Sequence, residues 1–222
     1  MPFEYCCFIS YPHGQQDVLV PIVKDFVEGL EKEIGSLTRH PVWFDKGRLR
    51  GGNLIDPAIS AGICKSICMI MIYTPLYFDT EHTYCAQELK AMQDLEEERK
   101  KHLTDSSKGL IIPVILRGEK KFPEAMKKRK FYDFTNYLFN GSSKKLRQAY
   151  AAQIREIAND IIDCCDSLEN ASGPLSHDCE KYGLPSSDDA KQFVESVLKK
   201  EIKEVVDSFP TRKAPVSEGI SK

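Results

Sequence analysis

The chain contains no apolar run approaching the roughly 20 residues that a membrane-spanning helix requires, and no excess of charge of either sign. The first absence argues against a membrane protein. The second, 31 Lys and Arg against 33 Asp and Glu for a formal net charge of −2, removes the basic footprint on which nucleic-acid binding depends. No signal peptide is recognisable, since Met1-Pro2-Phe3-Glu4 runs straight into an apolar segment, and a cytoplasmic protein is expected. Cys-x-x-Cys pairs are also missing. Cys6, Cys7, Cys64, Cys68, Cys85, Cys164 and Cys165 fall inside apolar periodic segments and read as reduced core thiols. The spacing around His82 and Cys85 supports no zinc ligand set, and no metal is assigned. There is no internal repeat.

What is present is enough apolar residue, 41% of 222, for one domain of about 150 residues with an extension. Tyr5 to Ser10 is an uncharged apolar run and predicts a buried strand. Val18, Ile22, Val23, Phe26, Val27 and Leu30 recur at helical spacing, with Pro21 tolerable in a first turn and Gly35 near the end. Pro41 to Phe44 predicts a second short strand. The loop Asp45-Lys46-Gly47-Arg48-Leu49-Arg50-Gly51-Gly52 follows, then a helix from about Ile55 to Cys64 and a third strand from Ser66 to Tyr73.

A helix opening at Tyr84 comes next. Gly109 to Leu116 predicts a fourth strand, in which Pro113 marks a missing ladder bond, and Phe131 to Phe134 a weaker fifth. Leu146, Tyr150, Ile154, Ile157 and Ile161 line one face of a long helix from Ser143 to about Leu168. Strand and helix alternate, so right-handed crossovers and a parallel five-stranded sheet covered on both faces follow. Residues 1–168 form the domain, 169–187 a linker rich in Ser, Gly, Pro and Asp, and 188–222 an amphipathic helix with a polar tail. Packing of that helix back onto the domain is the plainer expectation, a partner surface the other.

One carboxylate stands out. Cys85, Leu89, Met92 and Leu95 form the apolar stripe of the helix that opens at Tyr84, and Glu88 lies at the edge of that stripe, which predicts a half-buried carboxylate where a strand feeds a helix. Open α/β sheets bind ligands at such places. By itself, Glu88 is read more readily as a boundary carboxylate than as a functional one. Glu96, Glu97 and Glu98 belong to the run Asp94 to Lys101, where the stripe fades, and they are expected on a solvated face.

Three separated pieces resemble the Toll/interleukin-1 receptor (TIR) domain family. They are Phe8-Ile9-Ser10-Tyr11, Trp43-Phe44-Asp45 with Arg48-Leu49-Arg50-Gly51-Gly52, and Tyr84-Cys85-Ala86-Gln87-Glu88-Leu89. Their order and spacing carry the resemblance over residues 1–165, with Ile59 to Tyr77 in support. It implies a flavodoxin-like fold and, in a bacterial-type stand-alone branch of the family, cleavage of the nicotinamide–ribose bond of NAD. Glu88 matches that branch's catalytic glutamate. By the same resemblance the substrate pocket draws on Ser10, Tyr11, Trp43, Asp45, Arg48, Leu49, Arg50, Gly52, Tyr77 and Tyr84. Two departures alter the rim: about two extra residues lie between Tyr77 and Cys85, and Tyr84 replaces the usual tryptophan.

The implied enzyme is an NAD glycohydrolase or cyclase that releases nicotinamide and makes ADP-ribose or a cyclic derivative, with NAD as substrate and no cofactor. The resemblance further implies TIR–TIR self-association for activity, a separate effector that reads the nucleotide product, and a role in antiphage defence. A non-catalytic TIR adaptor that signals by domain assembly would not need Glu88. A nucleoside deoxyribosyltransferase-like enzyme would use a glutamate on a different substrate. A phospho-receiver domain needs acidic residues where the first strand ends at Phe8-Ile9-Ser10-Tyr11, and that possibility fails.

Overall fold

The computed structural model describes residues 3–12, 19–44, 55–103, 105, 107–137, 143–169, 171 and 178–208, with residues 55 and 199–208 as backbone. Five strands, β1 (Tyr5–Ser10), β2 (Val42–Trp43), β3 (Ser66–Tyr73), β4 (Ile111–Ile115) and β5 (Tyr132–Asp133), pair in parallel in the order β2-β1-β3-β4-β5. That is the flavodoxin-like order, in which the connection reverses direction between β1 and β3. All eight residues of β3 are buried. A central strand of a parallel sheet is covered on both faces, so it reads as a continuous apolar run with no alternation.

Pro113 keeps its place in β4 because of which side its nitrogen faces. Met69 N–H donates to the Leu110 carbonyl and Leu116 N–H to the Tyr73 carbonyl, so even-numbered residues of this segment bond to β3. Pro113 faces the other side, where β5 begins its pairing only at Val114. The absent donor therefore breaks no bond to β3.

The helices are α1 (Leu19–Ile34), α2 (Ile55–Cys64), α3 (Tyr84–Lys100), the single turn α4 (Glu124–Lys127), α5 (Lys144–Glu169) and α6 (Ser187–Ser208). Pro21 is the third residue of α1, where no intrahelical N–H bond is lost. Phe26 of α1 meets Phe134 edge to face with centroids 5.4 Å apart, and Phe134 meets Tyr150 of α5 in the same way, so one aromatic chain joins two helices to the end of β5.

The C-terminal extension packs on α3, as the plainer of the two expectations had it. Ser186 Oγ accepts the Asp189 N–H and donates to Asp189 Oδ2 in a reciprocal cap that starts α6. Ala190, Val194 and Val197 are then buried, and each fully buried valine contributes about 1.5 kcal/mol or more. Tyr182 OH donates to the Ala91 carbonyl at 2.8 Å and Gln87 Nε2 to the Pro185 carbonyl at 2.7 Å. The end of the linker is thus a strap bonded to α3.

Two expectations are corrected. Cys64 is joined to Cys179 in a disulfide, with Cα atoms 5.6 Å apart. Apolar periodicity placed Cys64 in the core correctly, but it carries no information on a partner 115 positions away. The other six cysteines are free and buried, and burial pushes Cys7 up and Cys165 up to about 12, so these two thiols stay protonated.

The second correction concerns the end of α3. Glu96 and Arg99 are buried, at 4% and 1% exposure, and do not stand in water. Arg129 grips Glu96 with Nη1 on Oε1 at 2.7 Å and Nη2 on Oε2 at 2.6 Å, and the Leu110 N–H donates to the same Oε1. Arg99 donates to the carbonyls of Cys64, Ser66 and Ile67 and lies 4.8 Å above the Phe3 ring. It thereby satisfies orphan carbonyls at the corner between α2 and β3. Burial lowers its pKa to about 10, which leaves it charged.

Candidate functional site

β1, β3 and α3 converge at the carboxyl end of the sheet, at the reversal between β1 and β3. Ser10 is the last residue of β1, in register with Met71 of β3. Beyond β3 the chain makes a tight turn, closed by Tyr77 N–H donating to the Thr74 carbonyl at 2.9 Å, and this brings the Tyr77 ring back over the strand ends. Asp79 then accepts the N–H of Glu81 and contacts His82 Nδ1 at 3.1 Å, so the lengthened rim is a side-chain-stapled turn. Those bonds, the Glu81 N–H first, hold the Asp79 carboxyl below its ordinary range.

Glu88 opens the second turn of α3 and is 9% exposed, more deeply buried than the half-buried position its place on the helix predicts. Ser10 Oγ donates to Glu88 Oε2 at 2.6 Å. The same Oγ lies 2.6 Å from Tyr77 Oη. A serine hydroxyl has one proton, and since Ser10 gives it to the carboxylate, Tyr77 is the donor in the second bond. Burial first, then the neighbouring Cys85 and Glu88, keeps the Tyr77 phenol well above its ordinary pKa. Three groups that are remote in sequence therefore form one donor chain ending on a carboxylate.

The residues proposed from sequence divide sharply. Ser10 and Tyr77 meet Glu88 but are 0% exposed, so they support the carboxylate and offer no surface to a ligand. Trp43 is a core residue, a correction to its place among the pocket residues: its ring stacks on Phe8 at 4.4 Å and fills the space above Gly62, where an added Cβ would lie 2.5 Å from Trp43 Cε2. Tyr11 is buried, with its ring 5.5 Å from Phe44. Tyr84 is 54% exposed at the start of α3. Asp45, Arg48, Leu49, Arg50 and Gly52 lie outside the described residues.

A cavity of about 580 Å³ lies between α3 and the C-terminal strap and is lined by none of Ser10, Tyr77 or Glu88. Its charged residues on α3 satisfy each other, since Lys90 Nζ donates to both oxygens of Asp94. A paired surface lysine is weak evidence for chemistry, and the buried carboxylate at the strand ends is the stronger candidate. Sequence reading missed the contact of Gln87, the neighbour of Glu88, with the strap. A glutamine on a helix flank gives no signal of a partner 98 positions away.

No helix among the described residues is long and apolar enough to cross a membrane. No curated protein matches the chain. Among solved structures, the TIR domain of the Toll-related receptor TRR-2 from Hydra magnipapillata is similar at 15% identity and a TM-score of 0.45, over 70% of this chain and 98% of that one. The TIR domains of the activated Roq1 resistosome, which directly recognises the pathogen effector XopQ, are similar at 15% identity and a TM-score of 0.37, over 88% and 98%. The family model for the TIR domain matches residues 7–150, which is most of the sheet and the whole of α3. The chain belongs to the TIR domain family.

Proposed function

We propose that this TIR domain cleaves the nicotinamide–ribose bond of NAD, with Glu88 as the catalytic carboxylate. The observation that carries the proposal is a buried glutamate at the β1/β3 reversal whose Oε2 accepts a hydrogen bond from Ser10. The reaction asks little more of the protein. Nicotinamide departs with the bonding electron pair as a neutral base, so no strong general acid is required, and the ribose carbon develops oxocarbenium character that a nearby negative charge stabilises. Glu88 supplies that charge and accepts hydrogen bonds from the ribose diol, much as carboxylates act in glycoside hydrolysis. Attack by water gives ADP-ribose and one proton. Attack by a nucleophile within the same nucleotide gives a cyclic product.

The exposed Tyr84 ring suits stacking on a base. Arg48 or Arg50 suits the pyrophosphate by residue type. The reaction takes place in the cytoplasm, self-association brings neighbouring loops to the pocket, and a separate effector reads the product in an immune response. The test is incubation of the concentrated protein with NAD, with chromatography of nicotinamide and the nucleotide product, beside Glu88→Gln. Nicotinamide release that disappears in the variant is the expected result, and the product mass separates hydrolysis from cyclisation. Wild-type protein that stays inert even when crowded into assemblies would overturn the proposal in favour of a non-catalytic adaptor.

A further inference from the structure

We infer that Tyr77 is a positioning residue for Glu88, acting through the Ser10 hydroxyl to fix the orientation of the carboxylate at the ligand-binding end of the sheet. The inference rests on the role given to Glu88 above and assigns a role to a residue that has no exposed surface of its own. Tyr77 and Ser10 are both 0% exposed, so neither touches a ligand in this conformation. A buried tyrosine could be mere packing, and its ring does pack, edge-on to Phe78 with centroids 5.3 Å apart. Packing alone, however, would be served as well by phenylalanine. The hydroxyl is spent on Ser10, at 2.6 Å.

The direction of the chain is what matters. Tyr77 donates to Ser10, and Ser10 donates to Oε2 of Glu88, so each bond polarises the next toward the carboxylate. A carboxylate that accepts such a bond is held in one orientation. Both supports come from rigid places, the end of a central strand and a turn closed on Thr74, so the orientation is set by the sheet and not by the helix alone. Among the described residues, Tyr77 from the turn after β3 and Cys85 from the first turn of α3 bring titratable groups to this chain beside Glu88.

The experiment pairs Tyr77→Phe with Ser10→Ala. Thermal melting checks folding of each. The titration midpoint of Glu88 is followed by carbon NMR on the carboxyl resonance that disappears in Glu88→Gln, and kcat and KM for NAD are measured in parallel. Both variants should raise the Glu88 midpoint, Ser10→Ala more because it removes the direct donor. Tyr77→Phe should lower kcat on the order of tenfold, the worth of one hydrogen bond, with KM little changed. A folded Tyr77→Phe protein with wild-type midpoint and wild-type kcat would overturn the inference. If Tyr77→Phe fails to fold, Ser10→Ala carries the same test. A shifted midpoint in a protein whose wild type does not cleave NAD would support the positioning role while removing the NAD reading, so the two can fail separately.

Discussion

Helix α3 buries two glutamates, eight positions apart, and surrounds them differently. Glu96 receives a bidentate guanidinium from Arg129 and the N–H of Leu110. Glu88 receives on Oε2 the hydroxyl of Ser10, itself backed by Tyr77. The first arrangement neutralises the carboxylate and ties α3 to the entrance of β4. The second orients a carboxylate at the end of the sheet where this fold binds ligands. Burial alone therefore does not distinguish the two glutamates. Their place along the sheet does, and under the proposed function the two ends of one helix would serve stability and chemistry in turn.

Substitutions separate the two ends. Glu88→Gln keeps the shape and the bond to Ser10 but removes the charge, and nicotinamide release should fall about a thousandfold with little change in melting temperature. Arg129→Met should do the opposite. It leaves buried Glu96 with only the more distant Lys100, 3.8 Å from Oε2, at a cost of about 3 kcal/mol, while activity per folded molecule is retained. Denaturant melts of both variants beside the NAD assay would show whether the effects separate.

Acid should reveal the same split. Burial opposes ionisation of Glu96, but the Arg129 bonds and charge, with the Leu110 N–H, outweigh it and hold its pKa below the ordinary 4.5. A carboxyl with a depressed folded pKa contributes stability that is fully present above its unfolded pKa and lost as pH falls through the folded value. Wild-type stability should therefore decline below about pH 4. In Arg129→Met that contribution is gone, so the gap between the two proteins should narrow on acidification, as melts between pH 7 and pH 3.5 would show. The smallest effect is at Gly109, where an added Cβ would lie 2.7 Å from Arg129 Nη1. Gly109→Ala should cost about 1 kcal/mol, because the paired Arg129 and Glu96 side chains, the latter with Oε1 3.1 Å from that Cβ, must give together by a few tenths of an ångström.

Most of the fold was legible. β1, α2 and β3 occupy the residues that apolar runs and turn signals predict, and the other strands differ only by a residue or two at their ends, where pairing with a neighbour decides the boundary. The end of α3 shows why legibility stopped. Glu96 is four positions beyond Met92 and Arg99 seven, so both fall on the buried stripe, yet their chemistry reads as solvent-facing. Helical phase was the better guide than residue type. What phase could not supply was the identity of Arg129, Cys179, Ser10 and Tyr77 as partners, since each comes from a distant segment. At the site, motif resemblance named Glu88, Ser10 and Tyr77 together, but only the fold shows that they are joined by hydrogen bonds. Trp43 entered the pocket set by resemblance, although an aromatic in that place is more often core, and its packing against Phe8 and over Gly62 is that of a core residue.

The most direct test of this division sets Glu88→Gln beside Glu96→Gln and measures, for each, nicotinamide released from NAD per folded molecule, with the folded fraction taken from the same sample. The account predicts a stable, inert Glu88→Gln protein and a less stable Glu96→Gln protein that cleaves NAD at close to the wild-type rate. Release by Glu88→Gln at the wild-type rate would contradict it, and so would loss of release in both variants at equal folded fraction.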